Sequence, residues 1–147
     1  MKKTVILLSL IVSVNAQVGD VTTFAGSGTA GAVDGVGTAA SFNNPPSVVV
    51  KAGTPYDTLF VIDYRNNLIR KIHLPDVIVG TLAGSGEKAT KDGFMTSAAF
   101  NNPAFGALDN SGNLYVTEWD GHVVRKITPD GQVTTLAGKA LQGVGQS

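Results

Sequence analysis

The chain has 147 residues, which is enough for one ordinary domain with its own hydrophobic core. Eleven basic and eleven acidic side chains balance to a net charge of zero, and cysteine is absent. Nucleic-acid binders usually carry a basic excess, so the balance disfavours that class of partner. Without cysteine the chain can form neither disulfides nor thiolate metal sites, and it has no thiol nucleophile.

The first sixteen residues have the anatomy of a secretory signal peptide. Lys2 and Lys3 give a positive start, Val5–Val14 is a short apolar run, and Ala16 closes a cleavage-type sequence. A membrane anchor would need about 20 apolar residues, and this run is only ten residues long. We therefore expect residues 1–16 to be removed. Because two lysines and no acidic residues go with them, nine basic and eleven acidic side chains remain, a net charge of −2.

Residues 17–138 form the second predicted segment, in which short apolar runs alternate with Gly, Asn, Asp and Pro. This pattern indicates strands joined by turns. The stretch FNNP occurs at Phe42–Pro45 and again at Phe100–Pro103, within a repeat that keeps an offset of 58 residues. A second offset, of 55 residues, aligns LFVIDYRNNLIRKI with LYVTEWDGHVVRKI. Internal repetition of this kind is the signature of a repeat architecture.

Each repeat unit contains four candidate strands. They are Ser47–Val50, Thr58–Asp63, Leu68–His73 and Val77–Ala83 in the first unit, and Ala104–Leu108, Asn113–Glu118, His122–Thr128 and Gln132–Ala137 in the second. Four short antiparallel strands per repeat are typical of a β-propeller blade. The stretch VTTFAG at residues 21–26 matches the fourth strand of such a unit. The sequence thus predicts an all-β chain with two complete four-stranded blades and one N-terminal outer strand.

The two stretches LFVIDYRNNLIRKI…VGTLAG and LYVTEWDGHVVRKITPDGQVTTLAG resemble the NHL-repeat family. The resemblance covers most of residues 21–138 and implies propeller blades, with FNNP leading from the outer edge of one blade to the innermost strand of the next. The family's Asp and Asn are present as Asp63 and Asn66, but Glu118 and Gly121 replace them in the second unit. We expect the second blade to form the corresponding hydrogen bonds differently.

Two arginines, Arg70 and Arg125, occupy the same position in the two units, and each is followed by a lysine. An arginine within a blade can pair with a carboxylate, and Asp63 and Glu118 are the candidates for this structural role. The alternative is a basic ring that contacts an acidic partner.

Tyr64, Arg65 and Trp119 follow the second strand of their units, at predicted loops. Binding residues often collect on loops, and aromatic and arginine side chains are common anchors of interfaces. These three residues are therefore the predicted contact residues.

The sequence offers little for catalysis or for a bound metal. His73 and His122 lack neighbouring ligands at a useful spacing, and a metal site needs several that converge. Asp34 and Asp92 each supply one carboxylate where calcium takes about six to eight oxygens, so turn formation is favoured over calcium binding. We predict no metal site, no cofactor and no catalytic residue.

Together these features predict a secreted, extracellular interaction module of the NHL type, which binds a protein or another ligand, does not bind nucleic acid and has no membrane span. The alternative is a fragment of a secreted propeller enzyme that resembles metal-dependent lyases. Two blades alone would expose apolar blade faces to water, so we expect further blades from a longer chain or from other copies. Residues 139–147 are expected to begin another connector or to form a disordered tail.

Export predicts a defined new N-terminus. Cleavage after Ala16 should leave Gln17 as the first residue of the secreted protein. N-terminal sequencing of the protein recovered from the medium checks this prediction. An intact Met1 on protein retained inside the cell would contradict it.

Overall fold

The computed structural model describes residues 21–53 and 57–139. The predicted signal peptide and nearly all of the predicted tail lie outside these residues. Within them the chain forms two antiparallel five-stranded sheets, joined by turns and three short 3₁₀ segments, and no α-helix. None of the described segments is a helix with the length and hydropathy of a membrane span. The prediction of an all-β fold is confirmed.

The two sheets repeat the same strand order. The first contains β1 (Gly35–Val36), β2 (Ser47–Lys51), β3 (Thr58–Asp63), β4 (Leu68–His73) and β5 (Ile78–Ala83), in the spatial order β1-β5-β4-β3-β2. The second contains β6 (Gly93–Phe94), β7 (Pro103–Leu108), β8 (Leu114–Glu118), β9 (Val124–Ile127) and β10 (Gln132–Ala137), in the order β6-β10-β9-β8-β7. All eight predicted blade strands are observed, with bounds within two residues of those expected.

Two features of the strand inventory differ from the prediction. Residues 21–26, predicted as an outer strand, do not adopt strand structure. A strand is held by hydrogen bonds to a neighbour, and no described strand pairs with this stretch. The fifth strand of each sheet comes instead from the connector before the blade, because Gly35–Val36 and Gly93–Phe94 pair with the outer strands β5 and β10.

The main core lies between the two sheets. Phe60 and Ile62 of β3 pack there with Leu114, Val116 and Ile127 of the second sheet. The intervening residue Val61 points to the other face of the first sheet, in a second cluster formed partly by the connector. Both faces of β3 are therefore buried, which explains why LFVI is apolar without alternation. Such a covered sheet is what a blade between neighbours requires.

Asn67 joins the two sheets at one end of this core. It follows the 3₁₀ turn Tyr64–Asn66 in a left-handed conformation, with φ of 54°. Its Oδ1 accepts a hydrogen bond from the Asn102 N–H at 3.0 Å, and its Nδ2 donates to the Gly86 carbonyl at 3.3 Å. Asparagine tolerates this backbone conformation better than most residues. The second FNNP stretch is thus tied to the preceding blade through backbone groups.

Candidate functional site

Arg70 is the central polar residue of the first blade, and it is fully buried. Its Nη1 donates to Asp63 Oδ2 at 3.0 Å and to the Ser41 carbonyl at 2.9 Å. Its Nη2 donates to the Asp34 carboxylate and to the Val33 carbonyl at 3.1 Å. One guanidinium therefore binds the end of β3 and the connector that precedes the blade.

The second blade repeats this arrangement around Arg125, which is also fully buried. Its Nη1 donates to Glu118 Oε1 and, at 2.9 Å, to the Ala99 carbonyl. Its Nη2 donates to Asp92 Oδ1 and to the Lys91 carbonyl, each at 2.9 Å. We call each set of contacts an arginine clasp. Because both guanidinium groups are buried, the arginines do not form a basic ring available to an acidic partner.

The phenylalanine of each FNNP stretch belongs to the clasp of its blade. The guanidinium carbon of Arg70 lies 5.2 Å from the centroid of the Phe42 ring, and Arg125 lies at the same distance from Phe100. A cation over an aromatic face is stabilised by the ring quadrupole, more so when both are desolvated. FNNP is therefore a positioning loop whose Phe covers the buried arginine.

The aspartates Asp34 and Asp92 are ion-pair partners of the arginines, a role that the sequence analysis did not assign. Partial burial alone would raise the pKa of Asp92, but hydrogen bonds from Thr135 and the charge of Arg125 outweigh it. The pKa of this carboxyl therefore lies below its usual value. The signal in the sequence was that Asp34 and Asp92 recur at the same offset as FNNP.

The two clasps differ where the sequence departs from the family pattern. Asp63 Oδ2 accepts a hydrogen bond from Asn66 Nδ2 at 2.7 Å. The longer Glu118 instead accepts from the Thr90 hydroxyl. A Cβ placed on Gly121 would lie 2.0 Å from Glu118 Oε2 and 2.9 Å from Glu118 Cβ, so the glycine leaves the space that the longer acid occupies. The second blade thus satisfies its carboxylate differently, as predicted.

A shallow groove of about 310 Å³ opens beside the clasps, at the start of the innermost strands β2 and β7. We call it the aromatic groove, and its lining residues are Asn44, Pro46, Tyr64, Ala104, Phe105 and Trp119. Trp119 is 65% exposed and Phe105 is 57% exposed. Exposed apolar side chains that gather in one place, unlike scattered ones, are typical of a binding surface.

The rim of the aromatic groove carries a polar network. The Tyr64 hydroxyl accepts a hydrogen bond from Asn102 Nδ2 at 3.3 Å, and the same amide donates to Asp120 Oδ2 at 2.7 Å. Lys88 Nζ lies 2.7 Å from that carboxylate oxygen. The hydrogen bond from Lys88 is the main cause that lowers the pKa of Asp120. The charges at the rim are therefore paired with each other.

The structure brings together two of the three predicted contact residues. Tyr64 and Trp119, which the 55-residue offset aligns, both line the aromatic groove. Arg65 is exposed but does not line it. Phe105 was missed, because the first unit has Ser47 at the equivalent position and the repeat therefore does not mark it. The available signal was a large aromatic residue on an innermost strand.

Within residues 21–53 and 57–139, no group of three or more His, Asp or Glu side chains is arranged to hold a metal. His122 is exposed at a turn, and His73 ends β4.

No protein-family model matches the chain. Over 62 residues it is 40% identical to NHL repeat-containing protein 2 of Gallus gallus, a match that covers 42% of this chain and 8% of that protein. Over 113 residues it is 29% identical to the chloroplastic Protein SUPPRESSOR OF QUENCHING 1 of Arabidopsis thaliana, which covers 74% of this chain and 10% of that protein. The resemblance to the NHL-repeat family is confirmed.

Two solved structures resemble the NHL-type blades. A candidate phosphatase of Bacteroides thetaiotaomicron matches with a TM-score of 0.64 at 26% identity, over 80% of this chain and 27% of that one. An auxiliary nutrient binding protein of Bacteroides ovatus matches with a TM-score of 0.62 at 28% identity, over 74% and 27% of the two chains. The chain thus spans about a tenth of the curated relatives and about a quarter of these solved proteins.

The arginine clasp predicts a large effect of Asp63→Ala. Asp63 and Arg70 are both fully buried, so the substitution leaves a buried guanidinium without one of its two carboxylates. We expect a loss of about 3–5 kcal/mol in the free energy of unfolding, measured by denaturant melts with the slope checked. Asp76→Ala, at an exposed turn position, is the control and should cost below about 0.5 kcal/mol. Equal losses for the two variants would contradict the clasp.

Proposed function

We propose that these NHL-type blades form a secreted interaction module whose ligand binds in the aromatic groove. One observation carries the proposal: Tyr64 and Trp119, at equivalent positions of neighbouring blades, converge with Phe105 on one exposed groove. A propeller fold alone does not define a function. The site is therefore the basis of the proposal, and the fold explains why the site is rigid.

The groove residues are held in place before any ligand arrives. The backbone N–H of Trp119 donates to the Asn102 carbonyl at 2.8 Å, and the backbone N–H of Arg65 donates to the Asn43 carbonyl at 3.1 Å. The residues that precede Tyr64 and Trp119 are the buried acids of the two clasps, Asp63 and Glu118. A ligand therefore gains contacts without having to order these loops, which favours binding.

The chemistry of the groove favours recognition over catalysis. Its lining is mainly aromatic and aliphatic, and tryptophan and tyrosine are the side chains that most often dominate binding energy at interfaces. One of the solved neighbours is an auxiliary nutrient binding protein, which supports ligand binding by blades of this type. The predicted signal peptide supports a location outside the cell, and the charge of −2 after its removal disfavours a nucleic-acid partner.

Further blades are part of the proposal. A groove of about 460 Å³ beside the first connector is lined by Gly26, Gly28, Phe42 and Asn44, among others. By the 58-residue offset, Gly28 and Asn44 correspond to Gly86 and Asn102, the two partners of the Asn67 side chain. The repeat therefore supports a seat for another blade at this face, supplied by a longer chain or by another copy.

A matched set of three baits tests the proposed function. The mature protein, its Trp119→Ala variant and its Phe94→Ala variant are immobilised and exposed to the extracellular medium of the source organism. Phe94 is a similarly exposed aromatic residue on an outer edge strand, away from the groove. A specific partner should be depleted at least about tenfold on Trp119→Ala and retained on Phe94→Ala. Equal capture of every protein and ligand by all three baits would contradict a function of the groove.

A further inference from the structure

We infer that the aromatic groove accommodates a proline-rich segment of a partner in the polyproline II conformation. This inference rests on the proposed function of the groove and specifies the chemistry of its ligand.

The charge of the groove favours a neutral occupant. None of its six lining residues is charged. The rim residues Asp120 and Lys88 pair with each other at 2.7 Å. An acidic peptide or a phosphate would find no unpaired cation in the lining, and a basic peptide would find no unpaired carboxylate there. The complementary ligand is therefore uncharged and largely apolar.

The hydrogen-bonding capacity of the groove is dominated by donors. Both amide hydrogens of Asn102 are committed, one to the Tyr64 oxygen and one to Asp120, so the Tyr64 hydroxyl hydrogen is available to a ligand. The indole N–H of Trp119 has no hydrogen-bond partner among the described residues. Among the lining side chains, only the Asn44 amide and the already occupied Tyr64 oxygen can accept a hydrogen bond. The Tyr64 hydroxyl, the Trp119 indole and the Asn44 amide thus all offer donors over a largely apolar floor.

A polyproline II segment has the complementary properties. Proline has no N–H to satisfy, and the backbone carbonyls of this conformation point outward, free to accept hydrogen bonds. Its rings pack in grooves lined by aromatic side chains, and its preformed conformation reduces the entropy lost on binding. An extended strand or an oligosaccharide would bring many donors, for which this lining has few side-chain acceptors. Proline-rich sequence is therefore the ligand class that fits best.

The chain offers a direct reporter for the test, because Trp119 is its only tryptophan. Blocked oligoproline is titrated into the mature protein while the emission of Trp119 is recorded. A Gly-Ser peptide of equal length and maltoheptaose serve as comparison ligands. We expect a saturable blue shift with oligoproline alone, since the indole becomes covered by apolar groups.

Two tyrosine variants test the geometry. Tyr64→Phe keeps the ring and removes the available donor, so it should weaken oligoproline binding about three- to tenfold. Tyr115→Phe is the matched control, because its hydroxyl donates to Asp109 Oδ2 at 3.0 Å and lies outside the groove. Tyr115→Phe should leave the affinity unchanged.

Several results would overturn the inference: no emission change with oligoproline, an equal response to the Gly-Ser peptide, a response to maltoheptaose only, or equal affinities for the two tyrosine variants. The proposed function is judged separately, by capture that depends on Trp119. If a partner is captured through Trp119 but oligoproline does not displace it, the proposed function of the groove stands and this ligand class is excluded.

Discussion

The rest of the structure depends on the burial of one arginine in each blade. A buried guanidinium is costly unless its donors are satisfied and its charge is paired. Arg70 meets this need with one carboxylate from β3, one from the connector, and two connector carbonyls. These four bonds use the Nη hydrogens; among the described residues the Nε of Arg70 and of Arg125 has no hydrogen-bond partner, and a phenylalanine ring covers each guanidinium. Because the partners come from both sheet and connector, the arginine is satisfied only when the connector is folded onto its blade.

The same interaction places the candidate site. The acid that ends the second strand of each blade is held by the arginine, and the next residue is Tyr64 in one blade and Trp119 in the other. Two copies of one structural device therefore present two aromatic rings at equivalent positions, and the packing of β2 beside β7 brings them to one groove. The fold supplies the position of the rings. The residues that vary between the copies, such as Ser47 and Phe105, supply the shape of the groove.

Much of this could be predicted because the sequence is repeated. The two offsets located all eight blade strands, and the equivalence of Tyr64 and Trp119 identified two groove residues. Residues 21–26 were predicted as a strand by homology with β5, but a strand needs a partner that local sequence does not reveal. The two-residue strands β1 and β6 are too short to show a period. The pairing of Asp34 with Arg70 joins residues far apart in sequence, so only the fold could show it.

Amide hydrogen exchange in Arg70→Lys tests the role of the clasp most directly, because one ammonium cannot span two carboxylates and two carbonyls. The N–H groups of Ser41 and Gly31 form connector hydrogen bonds to Val33 and Phe42 in the first blade. The equivalent groups of Ala99 and Ala89 form the same bonds to Lys91 and Phe100 in the second. The account predicts that protection falls at Ser41 and Gly31 and is kept at Ala99 and Ala89. Unchanged protection at all four amides, or an equal loss in both connectors, would contradict it.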